Sequence, residues 1–92
     1  MRRAAKVDAN QPEIVDALRW HGYSVGITSQ VGKGFPDLVV GGNGGNVLME
    51  IKLPGESLNA DQSYFHSFWR GPIVIAHTVS EALELAQKRR AR

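Results

Sequence analysis

Asp37-Leu-Val-Val-Gly-Gly-Asn-Gly-Gly-Asn-Val-Leu-Met-Glu-Ile-Lys52 is two β-rich runs about a glycine turn, the pattern of an antiparallel hairpin. Side chains alternate across a strand. In the second run Val47, Met49 and Ile51 share one face, and Leu48, Glu50 and Lys52 share the other. In the first, Leu38 and Val40 oppose Asp37 and Val39. If Val40 pairs with Val47, Asp37 stands directly opposite Glu50, with Cβ atoms about 4.5–5.5 Å apart. A slip of two residues keeps both acids on one face, whereas a slip of one puts the apolar set where the acids belong.

Upstream, Asn10 or Asp8 can cap a first helix that reaches about His21. Pro12 falls in its first turn, Ile14, Val15 and Leu18 form its apolar stripe, and Gly22 ends it. Ser24 to Thr28 reads as a short strand, followed by a glycine-bearing loop over residues 29–34. Downstream, Leu53-Pro-Gly-Glu-Ser57 is a loop, Asn59 begins a helix reaching Trp69 or Arg70, and Gly71-Pro72 stops it. Ile73-Val-Ile-Ala76 is continuously apolar, which predicts a strand buried on both faces. Ser80 or Thr78 caps a last helix that fades into a basic tail. The order is α-β-β-β-α-β-α. The link from Lys52 to Ile73 contains a helix, so those strands can run parallel through a right-handed crossover. The expectation is an α/β fold, a small mixed sheet with helices on both faces. One domain over residues 10–86 then lies between a basic arm, 1–9, and a basic tail, 87–92.

A chain of 92 residues buries roughly 60–65% of the surface it exposes unfolded, so its core is thin and self-association is expected. It has no cysteine. That removes disulfides, thiolate zinc sites and cysteine nucleophiles, and suits a reducing cytoplasm. The basic start leads into no apolar run, which argues against a signal peptide, and residues 73–76 are too few to cross a bilayer. The net charge of +2 is unevenly spread. Arg2, Arg3, Lys6, Lys88, Arg89, Arg90 and Arg92 lie at the ends, leaving four bases against nine acids over residues 7–87. An acidic body needs a counter-cation to approach a polyanion. Basic ends can attract nucleic acid at long range, or they are simply solvated termini.

Two opposed carboxylates repel, and a half-buried pair is costly unless a proton or a cation intervenes. Oxygen ligands with no cysteine and no paired histidines favour a hard ion, Mg²⁺ or Mn²⁺. Such an ion binds a scissile phosphate and acidifies a water for in-line attack. Lys52, on the same face as Glu50, can orient that water or offset charge developing on phosphorus. Taken singly, Asp37 can merely start a strand, and Glu50 with Lys52 can be an exposed ion pair worth little. The aromatics Tyr64, Phe65, Phe68 and Trp69 have helical spacing, which predicts core packing or a dimer interface rather than base stacking. His21, His66 and His77 are scattered and receive no role.

Pro36-Asp37 with Glu50-Ile51-Lys52 resembles the signature of the PD-(D/E)XK nuclease superfamily. Gly34-Phe-Pro-Asp-Leu38, Glu50-Ile-Lys52 and Asp61-Gln62 narrow the resemblance to stand-alone, phage-type members of the VRR-NUC (virus-type replication-repair nuclease) family, over about residues 10–86. The resemblance implies a restriction-endonuclease-like fold and an Mg²⁺- or Mn²⁺-dependent endodeoxyribonuclease in which Asp37, Glu50 and the Ile51 backbone carbonyl hold the metal. Lys52 then serves the attacking water and Gln62 supports the site. Glu13 matches an acidic residue that contributes to metal binding. Gln62 also stands three residues after Asn59, where it can be a capping partner, and Glu13 sits where any acid is favoured by the helix dipole. Lys33 can meet phosphate or be a solvated loop tip. Members of this kind imply homodimers cutting branched DNA such as four-way (Holliday) junctions, encoded by a phage or prophage and acting in the bacterial cytoplasm. The alternatives are a restriction- or defence-type subunit that borrows specificity from a partner, and a catalytically silent DNA-binding subunit.

Overall fold

Alternation and the glycines together set the register of the central hairpin. In the computed structural model, which describes residues 8–42 and 44–90 with side chains through Lys88, β2 (Leu38–Gly42) pairs antiparallel with β3 (Gly45–Ile51). Val40 faces Val47 and Leu38 faces Met49, as the alternation predicts. Gly41, Gly42 and Gly45 are paired strand residues rather than turn. The reversal is tighter than the glycine run suggests, because glycine accepts extended backbone as readily as a turn.

β1 (Ser24–Ile27) adds antiparallel to β2, and β4 (Ile73–Ala76) adds parallel to β3, giving the order β1-β2-β3-β4. α2 (Ala60–Phe68) occupies the β3–β4 connection, as parallel pairing requires. β4 is an edge strand in which Ile73, Val74 and Ile75 are only half-buried and Ala76 is buried. This corrects the expectation of a strand covered on both faces: an apolar run of four cannot tell an edge from a centre.

One face of the sheet is closed by α1 (Gln11–Trp20) and α3 (Val79–Arg90), which also pack on each other. Ile14, Val15 and Leu18 of α1 and Ala82 and Ala86 of α3 join Leu38, Val40, Val47, Met49 and Ile51 in the core. Thr78 Oγ1 accepts from the Glu81 N–H at 3.1 Å, so Thr78 rather than Ser80 caps α3. α3 continues to Arg90; residues 87–90, expected as tail, extend the helix.

The opposite face carries Val39, Leu48, Ile73 and Ile75, with Asp37 and Glu50 at one end. Only α2 lies on that side, and it meets the strands sparsely. Ring contacts join it to the loop before β2 instead: Phe35 meets Phe65 edge-on at 5.2 Å and Trp69, at the C-cap of α2, at 6.4 Å. Helices therefore flank both faces but close only one. Tyr64 and Phe68, expected in a core or an interface, are 71% and 51% exposed. No helix of the described residues is long and apolar enough to cross a membrane.

Asn10 stands at the N-cap of α1, but its side chain makes no capping bond. Its Nδ2 donates instead to the carbonyls of Lys52, at 3.2 Å, and His77, at 2.8 Å, tying the start of α1 to the ends of β3 and β4. Asn10→Ala removes the donor to both carbonyls and is expected to cost about 1–3 kcal/mol, read from urea denaturation. An unchanged midpoint would show that water replaces the amide without loss.

Candidate active site

Asp37 is delivered by the loop that precedes β2. The Thr28 N–H donates to the Asp37 carbonyl at 2.8 Å, and Thr28 Oγ1 donates to the Pro36 carbonyl at 2.7 Å. These two bonds fix the backbone of the Pro36-Asp37 pair against the end of β1. Continued by one residue, the β2–β3 register places Asp37 opposite Glu50. Asp37 Oδ2 accepts from the Ile51 N–H at 2.8 Å, which holds its carboxylate across the ladder from β3.

The same register brings Pro36 opposite Ile51. Backbone groups of Leu48 and Lys52 bond toward β4, so those of Ile51 point to β2. A residue with an N–H at position 36 would donate to the Ile51 carbonyl, but proline has none. Sequence and register together thus leave that carbonyl without its ladder donor, beside the two acids.

Glu50 is 1% exposed, between β2 and β4. Its Oε2 accepts from Gln62 Nε2 at 3.1 Å. Its Oε1 is buried and has no hydrogen-bond partner among the described residues. The carboxyl is pushed up to about 8, first of all by burial, because a charge in a low-dielectric setting is penalised. A hydrogen bond with Asp37, and the negative charges of Asp37 and Asp8, contribute to the same rise, while the Lys52 ammonium opposes it. Glu50 therefore keeps its proton at neutral pH unless a cation takes its place.

Gln62 serves in two ways. Its Oε1 accepts from the Asn59 N–H and its backbone N–H donates to Asn59 Oδ1, both at 2.9 Å, closing a capping box. Its Nε2 remains for Glu50. The capping bond and the bond to Glu50 use the two ends of one amide, so the helix start and the carboxylate are positioned together. One turn on, His66 Nε2 lies 3.8 Å from Glu50 Oε1. Burial lowers the His66 pKa, so the ring is neutral near pH 7.

The other expected residues are placed as follows. Lys52 is half-buried at the end of β3, with its N–H on the Ala76 carbonyl at 3.0 Å. Glu13 is exposed in the first turn of α1 and is not among the groups that act on Glu50. Asp8 is the acid at that end of the chain that does. Lys33 is exposed on the loop before Asp37, with φ +58. Lys88 pairs with Glu84 at 4.0 Å on α3, the helix that covers the opposite face. Arg2, Arg3 and Lys6, Arg92 and the side chains of Arg89 and Arg90 lie outside the described residues. Asp8 and His66 are the site residues that sequence reasoning missed. The spacing of Gln62 and His66, four apart on one helix, was the available signal for the second.

Among the described residues, no three His, Asp or Glu side chains converge into a ready-made metal cage. The donors near Glu50 are two carboxylates, one with an unbonded buried oxygen, and a carbonyl without a ladder donor. This oxygen-rich set suits a hard divalent ion. No family model matches the chain, and no curated protein or solved structure matches it.

Proposed function

We propose that this chain is a metal-dependent DNA endonuclease with a restriction-endonuclease-like core, in which Asp37, Glu50 and the Ile51 carbonyl hold Mg²⁺ or Mn²⁺ and Lys52 assists the attacking water. The observation that carries the reading is Glu50: a carboxylate at 1% exposure, facing a second acid, with one oxygen unbonded. A fold gains no stability from such a pair. A cation resolves the repulsion and turns the cost into binding, which is the reason to place two acids there.

When bound, the ion supplies Lewis acidity to a phosphate oxygen and lowers the pKa of a water. The protein's own groups supply position. The Ile51 N–H fixes one oxygen of Asp37, and Gln62 fixes one oxygen of Glu50, leaving the other oxygens to ligate. Lys52 brings a positive charge to the same strand end, where it orients a water and balances charge that grows on the phosphate. The sequence resemblance to VRR-NUC nucleases supports the same roles and extends them to branched DNA cut by a homodimer. The exposed Tyr64 and Phe68 fit a surface that a second copy covers.

The test is cleavage of labelled four-way junction, flap, fork and duplex DNA in Mg²⁺ or Mn²⁺. The expected result is cutting of branched substrates, and loss of about 10²–10³-fold activity in Asp37→Asn, the order seen when charge stabilisation of a transition state is removed. If Asp37→Asn cuts as well as the parent, the site is misassigned. If the parent cuts none of the four, the nuclease reading fails.

A further inference from the structure

Two of the buried side-chain atoms that lack a hydrogen bond face each other across the site: Glu50 Oε1 on β3 and His66 Nε2 on α2. Neither is there by accident of a mobile side chain. The α2 face is set by the capping box at its start and by the Gln62–Glu50 bond, and His66 follows Gln62 by four residues on that same face. The separation of 3.8 Å is too long for a hydrogen bond, whose N···O distance runs about 2.7–3.2 Å. Two ligands of one ion, each bonded at about 2.0–2.2 Å, can lie up to about 4.2 Å apart. The observed distance falls inside that reach and outside the other.

We propose that His66 supplies a nitrogen ligand to the divalent cation held at Glu50, so that the site binds first-row transition ions in preference to Mg²⁺. This rests on the cation-dependent reading of the acid pair. Mg²⁺ is served by carboxylate, carbonyl and water, whereas imidazole favours the transition ions. Oxygen ligands alone give a site no reason to discriminate strongly; a nitrogen beside the unbonded oxygen of Glu50 gives it one. The Nε2 is buried and has no hydrogen-bond partner among the described residues, so no protein group there competes with an ion for it.

Mn²⁺ tests this directly, because pulsed electron paramagnetic resonance detects a coordinated ¹⁴N through its echo modulation. The full chain with Mn²⁺ should show one such nitrogen, and His66→Gln should lose it. In the same variant Mn²⁺ affinity should fall about tenfold, near the range for loss of a metal-site side chain, while Mg²⁺ affinity, read by competition, changes much less. A structural role would lower both affinities together. Bound Mn²⁺ with no coordinated nitrogen in the parent overturns the inference but leaves the oxygen-ligand site standing. So does a coupling that persists in His66→Gln, or a parallel fall in both affinities. Failure of the parent to bind either ion overturns the cation reading itself. The parent spectrum needs no variant, so poor folding of His66→Gln leaves the test intact.

Discussion

Glu50→Gln is expected to abolish metal-dependent DNA cleavage and, in the metal-free protein, to raise the melting temperature at pH 8.5. The two effects have one cause. Folding raises the Glu50 carboxyl from 4.5 to about 8, chiefly by burial and then by Asp37, so the folded chain binds this proton more tightly than the unfolded chain does. Below pH 4.5 both states carry the proton and no penalty arises. As pH rises from 4.5 through about 8, the unfolded chain releases the proton while the fold retains it, and stability is lost. Glutamine keeps the shape and can still accept from Gln62 Nε2, but it has no proton to lose. Melting curves of parent and variant, taken with chelator from pH 5 to pH 9, should converge at the acid end and separate towards the alkaline end. Curves that stay parallel would show that the carboxyl is not strained by the fold. Mn²⁺ should close the gap by stabilising the parent alone, because only a folded site with its carboxylate intact binds the ion.

The register that brings the acids together was legible because two independent constraints agree on it. Alternation fixes parity, and the glycine run limits where the chain can reverse; Val40 then has few partners other than Val47. Gln62 was legible as two competing roles, and the structure shows the capping box together with a bond from the same side chain to Glu50, since an amide has a donor and an acceptor end. What resisted reading was tertiary. Asn10 has the composition of a cap, but its amide reaches strand ends 42 and 67 residues away, which no local pattern encodes. His66 stands alone among scattered histidines until α2 is docked beside β3. Asp8 rather than Glu13 acts on Glu50, because Glu13 has already turned outward on α1 while Asp8 precedes the helix. The thin cover of the second face was invisible for a similar reason. An apolar strand and an amphipathic helix show that something must be buried, not how completely.

Gly34→Ala is expected to destabilise the chain by about 2–5 kcal/mol, combining a left-handed backbone penalty of roughly 1–2 with overpacking of roughly 1–3. Gly34 has φ +80, and a Cβ there would collide with the Asp61 carbonyl and the Gln62 nitrogen. Those are backbone atoms at the first turn of α2, held by the Asn59–Gln62 capping box, so they cannot swing aside as a side-chain tip can. The loop must lift instead, drawing Phe35 off Phe65 and carrying Pro36-Asp37 with it. At roughly 4–8 °C per kcal/mol for a domain of this size, the melting temperature should fall by at least about 8 °C, and cleavage should fall further than stability alone explains. Gly32 is the control. It lies in the same loop at φ +87, but nothing stands within 4 Å of the position its Cβ would take. Gly32→Ala should therefore pay only the backbone penalty, leaving the folded protein with Asp37 in place and active. Equal melting shifts for the two variants would mean that the loop does not press on α2. The coupling of Asp37 to the helix that carries Gln62 and His66 would then have to come through the sheet alone.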